Sequence, residues 1–267
     1  MEKVSGRPFA LNAYQLKIIA IIAMLIDHIA WAFVPLNTIQ GQALHVIGRL
    51  TAPIMCYFLA EGFYYTRDLK KYILRMGVFA LISAAAFSFF ESGGHFRFAG
   101  MGMIYTLFLG LLAITVRLRT NWPWAVKIIL VAVLCVFSLI GDWPILGVLW
   151  PYYFAAHRGN PKKQFLAFSI VGAVEVVYFI RMMALARPDL WWLQLCQAGI
   201  FLAIPLCFYA MMGRWADIKE RSGCFISFIR RICLFWEYWR EYYNWGAGAE
   251  LYIEVKSNVK RDQYHGN

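Results

Sequence analysis

Six ionisable side chains sit where the surrounding sequence is almost wholly apolar. Lys17, Asp27 and His28 share one run, Arg49 and Glu61 the next, and Glu175 stands in a later one. Charge inside hydrocarbon is costly, so the residues that carry it face a bundle interior or a cavity and mark function. His28 has the chemistry of a general base, because an imidazole titrates near working pH and a carboxylate can orient it. Lys17 and His28 lie eleven residues apart, about three helical turns, which puts them on nearly one face with a rise of roughly 16 Å. Lys17 then belongs at a membrane edge and His28 near the midplane. Arg49, on a run entering from the opposite side, reaches the depth of His28, and Glu61 falls nearer the edge of Lys17. The depths allow these residues to converge at one polar site. Neighbours on a helix point about 100° apart, so Asp27 and His28 do not pair. Asp27 is expected to pair with Arg49, leaving His28 to accept a proton. Three readings share this pattern: acid–base catalysis, a polar clasp between helices, and a proton or ion pathway.

The remaining reactive types carry less. His45 and His95 fall in polar breaks on one side and His157 near one on the other, as solvated or interfacial histidines do. Glu175, a lone carboxylate among Val and Ala, reads as a structural partner before a catalyst. No His, Cys or carboxylate pair shows metal-ligand spacing, so no metal is expected. The six cysteines lie mostly in apolar runs and form no C-x-x-C, which suits buried small hydrophobes. Nucleotide-binding glycine motifs and the G-x-S-x-G elbow are absent.

The elements that must position these residues follow from composition. The 267 residues are 61% hydrophobic and only 15% charged, with a mean hydropathy of +0.55. That excludes an ordinary soluble domain, a disordered chain and a disulfide scaffold. Apolar runs cover residues 15–35, 44–65, 73–91, 101–116, 124–140, 143–157, 164–183 and 190–212. They predict an all-α polytopic transmembrane bundle of about eight spans, several near the roughly 20 residues a crossing needs. The runs at 101–116 and 143–157 are short. Breaks such as Gly93-Gly94, Asn121-Trp122-Pro123 and Gly141-Asp142-Trp143-Pro144 separate the runs, and tryptophans cluster at run ends. The first run is too long for a signal-peptide core and reads as a retained helix.

The formal charge of +11 would suggest nucleic acid on a soluble chain, but here the basic residues alternate between breaks. Lys3, Arg7, Lys17, Arg67, Lys70, Lys71, Arg75, Arg117, Arg119, Lys127, Arg158, Lys162 and Lys163 fall on one side. Arg97, Arg181 and Arg187 fall on the other. The positive-inside rule puts both termini in the cytoplasm, across the cytoplasmic (inner) membrane, with lipid as a partner and no nucleic acid. Residues 1–213 form the membrane domain. Residues 214–267 form a charged, aromatic-rich cytoplasmic tail, with an interfacial helix over 223–245 and a solvated end.

Several segments resemble one family. Residues 16–29, Leu-Lys-Ile-Ile-Ala-Ile-Ile-Ala-Met-Leu-Ile-Asp-His-Ile, are similar to the first helix of the TraX family. Residues 47–63 carry its G-R-x-x-x-P segment, from Gly48-Arg49 to Pro53, ending in Glu61-Gly62-Phe63. Residues 104–112 match more loosely, and Asp142-Trp143-Pro144-Ile145-Leu146-Gly147-Val148-Leu149 looks like its D-Y-x-x-x-G-V-L stretch. The resemblance covers roughly residues 14–212 and implies a multi-span protein linked to conjugation, whose founding activity is acetylation of the pilin N-terminus. The Lys17-x10-His28 spacing also looks like the R/K-x10-H motif of membrane acyltransferases. Carried over, His28 is the base, with Asp27 beside it, Arg49 stabilises developing negative charge, and Lys17 and Arg49 help hold acetyl-CoA. The acceptor is a pilin-like amine, and Glu61 and Asp142 complete the polar membrane site. The family's closing Y-P-x-H helix has no counterpart here, where the only histidine after residue 212 is His265.

Overall fold

Each apolar run folds as a helix, and proline decides where several of them break. A computed structural model describes residues 13–91 and 100–212. Its helices are α1 (Ala13–Phe33), α2 (Ile39–Gly48), α3 (Thr51–Tyr65), α4 (Leu69–Glu91), α5 (Met103–Arg119), α6 (Trp124–Phe137), α7 (Leu146–Ala156), α8 (Pro161–Ala186) and α9 (Ala203–Met212). Two 3-10 segments, Ser138–Ile140 and Trp191–Leu202, complete the described residues, which contain no strand. The tail helix expected over 223–245 lies outside these residues, as do Gly93-Gly94, His95, Arg97, Cys224 and Cys233.

Local chemistry sets the helix starts. Thr38 caps α2, its hydroxyl accepting the Gly41 N–H at 3.0 Å. Asp68 caps α4 through the Lys71 N–H at 3.1 Å. Asn160 caps α8 at 3.1 Å, with Pro161 at the first helical position. The run at 44–65 starts earlier, at Ile39, and divides at Arg49-Leu50. Pro53 has no N–H for the Arg49 carbonyl four residues back, and its ring crowds that group. Arg49 and Leu50 keep right-handed helical angles, so α2 and α3 still read as one 27-residue apolar span, Ile39–Tyr65.

The run at 190–212 departs further from an α-helix. Twelve of its residues, Trp191–Leu202, form a 3-10 helix, a length rarely sustained. Side chains three apart eclipse in that geometry, and Leu193, Cys196 and Gly199 are the buried row. Pro205, lacking a donor for the Phe201 carbonyl, sits where the 3-10 helix gives way to α9.

The bundle is sorted by what it faces. α3, α5 and α7 form the centre, where Phe63, Leu107, Leu111, Ile114, Trp150 and Phe154 are among the most buried side chains. The outer helices turn apolar groups outward, such as Leu74 and Leu81 on α4, Ile129 and Val136 on α6, and Val174 and Leu185 on α8. An exposed apolar belt of this extent needs lipid as its solvent. Four spans are long and apolar enough to cross a membrane: Tyr14–Phe33, Ile39–Tyr65, Leu69–Phe89 and Pro161–Ala186. Trp124–Ile140 and Trp191–Cys207 are shorter apolar helical stretches.

α5 and α7 approach closely because glycine lines their contact. A Cβ on Gly110 would stand 2.5 Å from the Gly147 carbonyl oxygen, and one on Gly147 would stand 2.8 Å from Thr106 Cβ. Pro151 inside α7 already deprives that Gly147 carbonyl of its helical donor. Gly110→Ala is expected to destabilise the bundle by about 1–3 kcal/mol, the usual range for overpacking. The lipid-facing Val177→Leu should stay within about 0.5 kcal/mol. Thermal unfolding in detergent micelles checks both, and equal melting temperatures for the two variants contradict the packing argument.

Candidate functional site: a polar cavity beside a broken helix

The sequence places Asp27 and His28 next to each other, and the helix sends them to different partners. His28 donates from Nδ1 to the Met24 carbonyl at 2.8 Å, one turn back on α1. In the neutral ring that bond assigns the lone pair to Nε2, the tautomer a base requires. Asp27 accepts from His45 Nδ1 at 2.9 Å. The expected Asp27–Arg49 pair does not form, because Gly48 brings α2 so close that Asp27 meets the residue one turn earlier, His45. A Cβ on Gly48 would collide with the Asp27 carboxylate. His45 is fully buried and tilted against Trp31 at 4.7 Å, so it is not the solvated histidine its position in a polar break suggests. It is the residue that sequence reasoning missed. Its Nε2 is buried without a hydrogen-bond partner.

Arg49 sits at the helix break, 9% exposed. Its guanidinium lies 5.1 Å from the centre of the Trp143 ring, a cation–π contact. Trp143 is held there by a strained turn. Trp143 and Ile145 both have positive φ, 58° and 62°, and the Leu146 N–H reaches the Pro144 carbonyl at 2.6 Å. This is a γ-turn of the strained kind, here centred on a β-branched residue. The neighbouring structure fixes it. The Asp142 N–H donates to Met101 and the Met101 N–H to Ile140, each at 2.8 Å. The Ile145 N–H reaches Ser138 Oγ at 2.8 Å, and Thr106 Oγ1 stands 2.8 Å from the Asp142 carbonyl.

The turn also sets Asp142 near the ionisable groups Arg49, His28 and Asp27. Behind Arg49 lies a cavity of about 200 Å³, walled by Arg49, Asp142, Trp143, Glu175, Gln197 and Ile200 with neighbouring apolar groups. Gln197 and Ile200 share one row of the 3-10 helix, three apart, so both line the same wall. Glu175 is not the structural partner expected of it: it makes no hydrogen bond or ion pair with another described residue, and it faces the cavity.

Two expected members stand apart. Glu61 is bound by Arg158, whose Nε and Nη2 donate to its two oxygens at 3.0–3.3 Å. Those hydrogen bonds are the main reason the guanidinium is held above its ordinary range. Arg158 also stacks on Tyr64 at 4.4 Å, so Glu61 serves a basic end of the bundle rather than the Arg49 cavity. There His157 is pushed below its usual value by burial first, then by Arg117 and Lys163. Lys17 reaches over the Phe58 ring at 5.0 Å, on the same helix as His28.

The comparisons with known proteins assign the chain at the level of family. The model of the family described as TraX protein covers residues 12–215. The chain belongs to the TraX family. It is also 32% identical over 217 residues to a protein of Dichelobacter nodosus described as "Probable fimbrial assembly protein FimC, serogroup H1". That alignment takes in 78% of this chain and 87% of the relative. No solved structure matches the chain significantly. The matched TraX region ends just past the last described helix and contains the whole polar site. With its lipid-facing belt, the chain is a helical membrane protein.

The close approach at Gly48 can be checked directly. Gly48→Ala should cost about 1–3 kcal/mol by pushing Asp27 off His45. Asp27→Ala should then cost much less in the Gly48→Ala background than alone, since residues in contact do not act additively. Full additivity in thermal unfolding would show that Gly48 does not act through Asp27.

Proposed function

We propose that this TraX-family protein is an acyltransferase of the cytoplasmic membrane, with both termini in the cytoplasm. It moves an acetyl group from acetyl-CoA to the N-terminal amine of a pilin-like acceptor during pilus biogenesis or conjugation. The observation that carries the reading is the His28 imidazole, its Nδ1 committed to Met24, within one electrostatic cluster with Asp142 and Arg49 beside a cavity. The name of the Dichelobacter relative supports the link to fimbriae.

The donor supplies an activated thioester, and the chain's own residues do the rest. His28 Nε2 takes a proton from the attacking amine, a contribution of roughly 10²–10⁴-fold in such reactions. Arg49, a nearly buried cation, offers its positive charge to the oxygen that becomes negative as the carbonyl is attacked. Lys17, roughly 16 Å along α1 from His28, faces the donor's phosphates at the cytoplasmic edge. The Asp27–His45 pair fastens α1 to α2 and so holds the His28 face in place.

A non-catalytic role in fimbrial assembly is the second reading, and the same Asp27–His45 clasp favours it, since the clasp alone would serve a scaffold. Whole-cell mass spectrometry of the co-expressed pilin separates the two. Wild type is expected to add one acetyl mass at the pilin N-terminus, and His28→Ala at equal protein level to lower that product at least about a hundredfold. Persistence of the acetyl mass in His28→Ala removes His28 as base, and its absence in wild type favours the scaffold.

A further inference from the structure

We propose that the Arg49–Asp142–Glu175 cavity seats the protonated amino terminus of the acceptor chain, with Glu175 as the group that receives its first proton. The inference rests on the acetyl-transfer reading for its chemistry, but the seat itself is a separate claim about binding.

Charge is the first argument. The cavity walls carry two carboxylates, Asp142 and Glu175, and one cation, Arg49. In a site walled by protein and lipid an uncompensated carboxylate is costly, so the cavity favours a ligand that brings positive charge. Glu175 is the member with no partner among the described residues, whereas Asp142 accepts the Trp143 N–H at 3.1 Å and lies near Arg49.

Arg49 supplies the second, independent argument. It is nine-tenths buried, lines the cavity, and its Nε–H has no acceptor. A buried donor left unmade costs about as much as the desolvation it suffered, so the ligand must offer an oxygen as well as a cation. A chain's first residue offers both, an ammonium followed one residue on by a peptide carbonyl. Gln197 gives one amide proton to Gln194 Oε1 at 3.3 Å, and its remaining N–H and carbonyl suit the peptide group between them.

Size is the third. About 200 Å³ lies below the roughly 300 Å³ at which pockets for drug-sized ligands begin. One small residue fits and a nucleotide does not. The donor's thioester must therefore meet the amine from outside this cavity, which keeps the two substrates in separate places.

The proton account closes on these residues. The bound ammonium gives one proton to Glu175 and becomes the nucleophilic amine. Its nitrogen bonds to the acetyl carbon, and the carbon–sulfur bond breaks. The second nitrogen proton passes to His28, which hands it to the leaving thiolate. Glu175 releases the first proton to water, so the reaction frees one proton overall.

The test uses the full-length protein in detergent micelles and two probes, Ala-Ala-Ser amide and its N-acetylated twin, with binding followed by calorimetry. Wild type is expected to bind the free-amine peptide at least about tenfold more tightly, since removing one partner of a buried charge pair is severe. Glu175→Gln should erase that preference, and Glu175→Asp, which keeps the charge, should restore part of it. Equal binding of both twins by wild type, or an undiminished preference in Glu175→Gln, overturns the seat. Turnover with acetyl-CoA is the second arm. Glu175→Gln should slow transfer at pH 6.5 by about tenfold or more, the deficit shrinking towards pH 9, where an α-amine of pKa about 8 is already neutral. Selective binding without any transfer leaves the seat standing and defeats the acyltransferase reading. Transfer that ignores Glu175→Gln at every pH does the reverse.

Discussion

A guanidinium inside a helical membrane bundle constrains everything packed around it. Arg49 has no ion pair among the described residues, and a bare charge there would be untenable. The fold meets it piecemeal, with the face of Trp143, the nearby charge of Asp142 and a polar cavity behind. Each comes from irregular backbone. Pro53 breaks the helix at Arg49, a γ-turn presents Trp143, and a long 3-10 helix lines up Gln197. Irregular backbone at membrane depth is tolerated where it is buried in protein or lines a cavity, and all three instances meet there. The strain in the turn, about 1–3 kcal/mol for each residue so held, persists because Met101, Thr106 and Ser138 fix the turn from the α5–α6 side.

The bundle separates two polar regions by purpose. At the basic end, Glu61 and Arg158 neutralise each other and aromatic rings cover the guanidinium. A carboxylate so paired keeps helices in register and has little capacity left for a substrate. In the Arg49 cavity the groups are close but incompletely paired: Arg49 Nε lacks an acceptor and Glu175 lacks a donor. His45 Nε2 is similarly unmatched, but it is sealed behind Trp31. Unmatched polar groups that border a cavity suit ligand binding, whereas sealed ones hold shape.

The charged and helical features were legible along the chain to different degrees. Apolar runs located every helix, because hydrophobicity is a one-dimensional property and lipid exposure enforces it. Pro53, Pro151 and Pro205 were visible too, and their missing donors explain the broken second run, the glycine contact at Gly147 and the 3-10 to α transition. The pairing of side chains was not legible. Depth paired Asp27 with Arg49, but rotation about the axes and the glycine at position 48 gave Asp27 to His45. Depth likewise drew Glu61 towards the site, although Arg158, ninety-seven residues away, claims it. His45 was misplaced because a histidine in a short break looks solvated until the next helix closes over it. Its spacing from Asp27 gave no warning.

The sequence by itself determined the solvent this protein lives in, the identity of its few interior charges and the family to which it belongs. All three depend on residue type and order, which need no third dimension. Only the tertiary structure decided which charges meet. Pairing depends on helix rotation, on how closely glycines let backbones approach, and on turns whose strain is balanced by residues distant in sequence. That is why Glu175, unremarkable among its apolar neighbours, faces Arg49 and Asp142 across one cavity, while Glu61, embedded in a recognisable motif, does not.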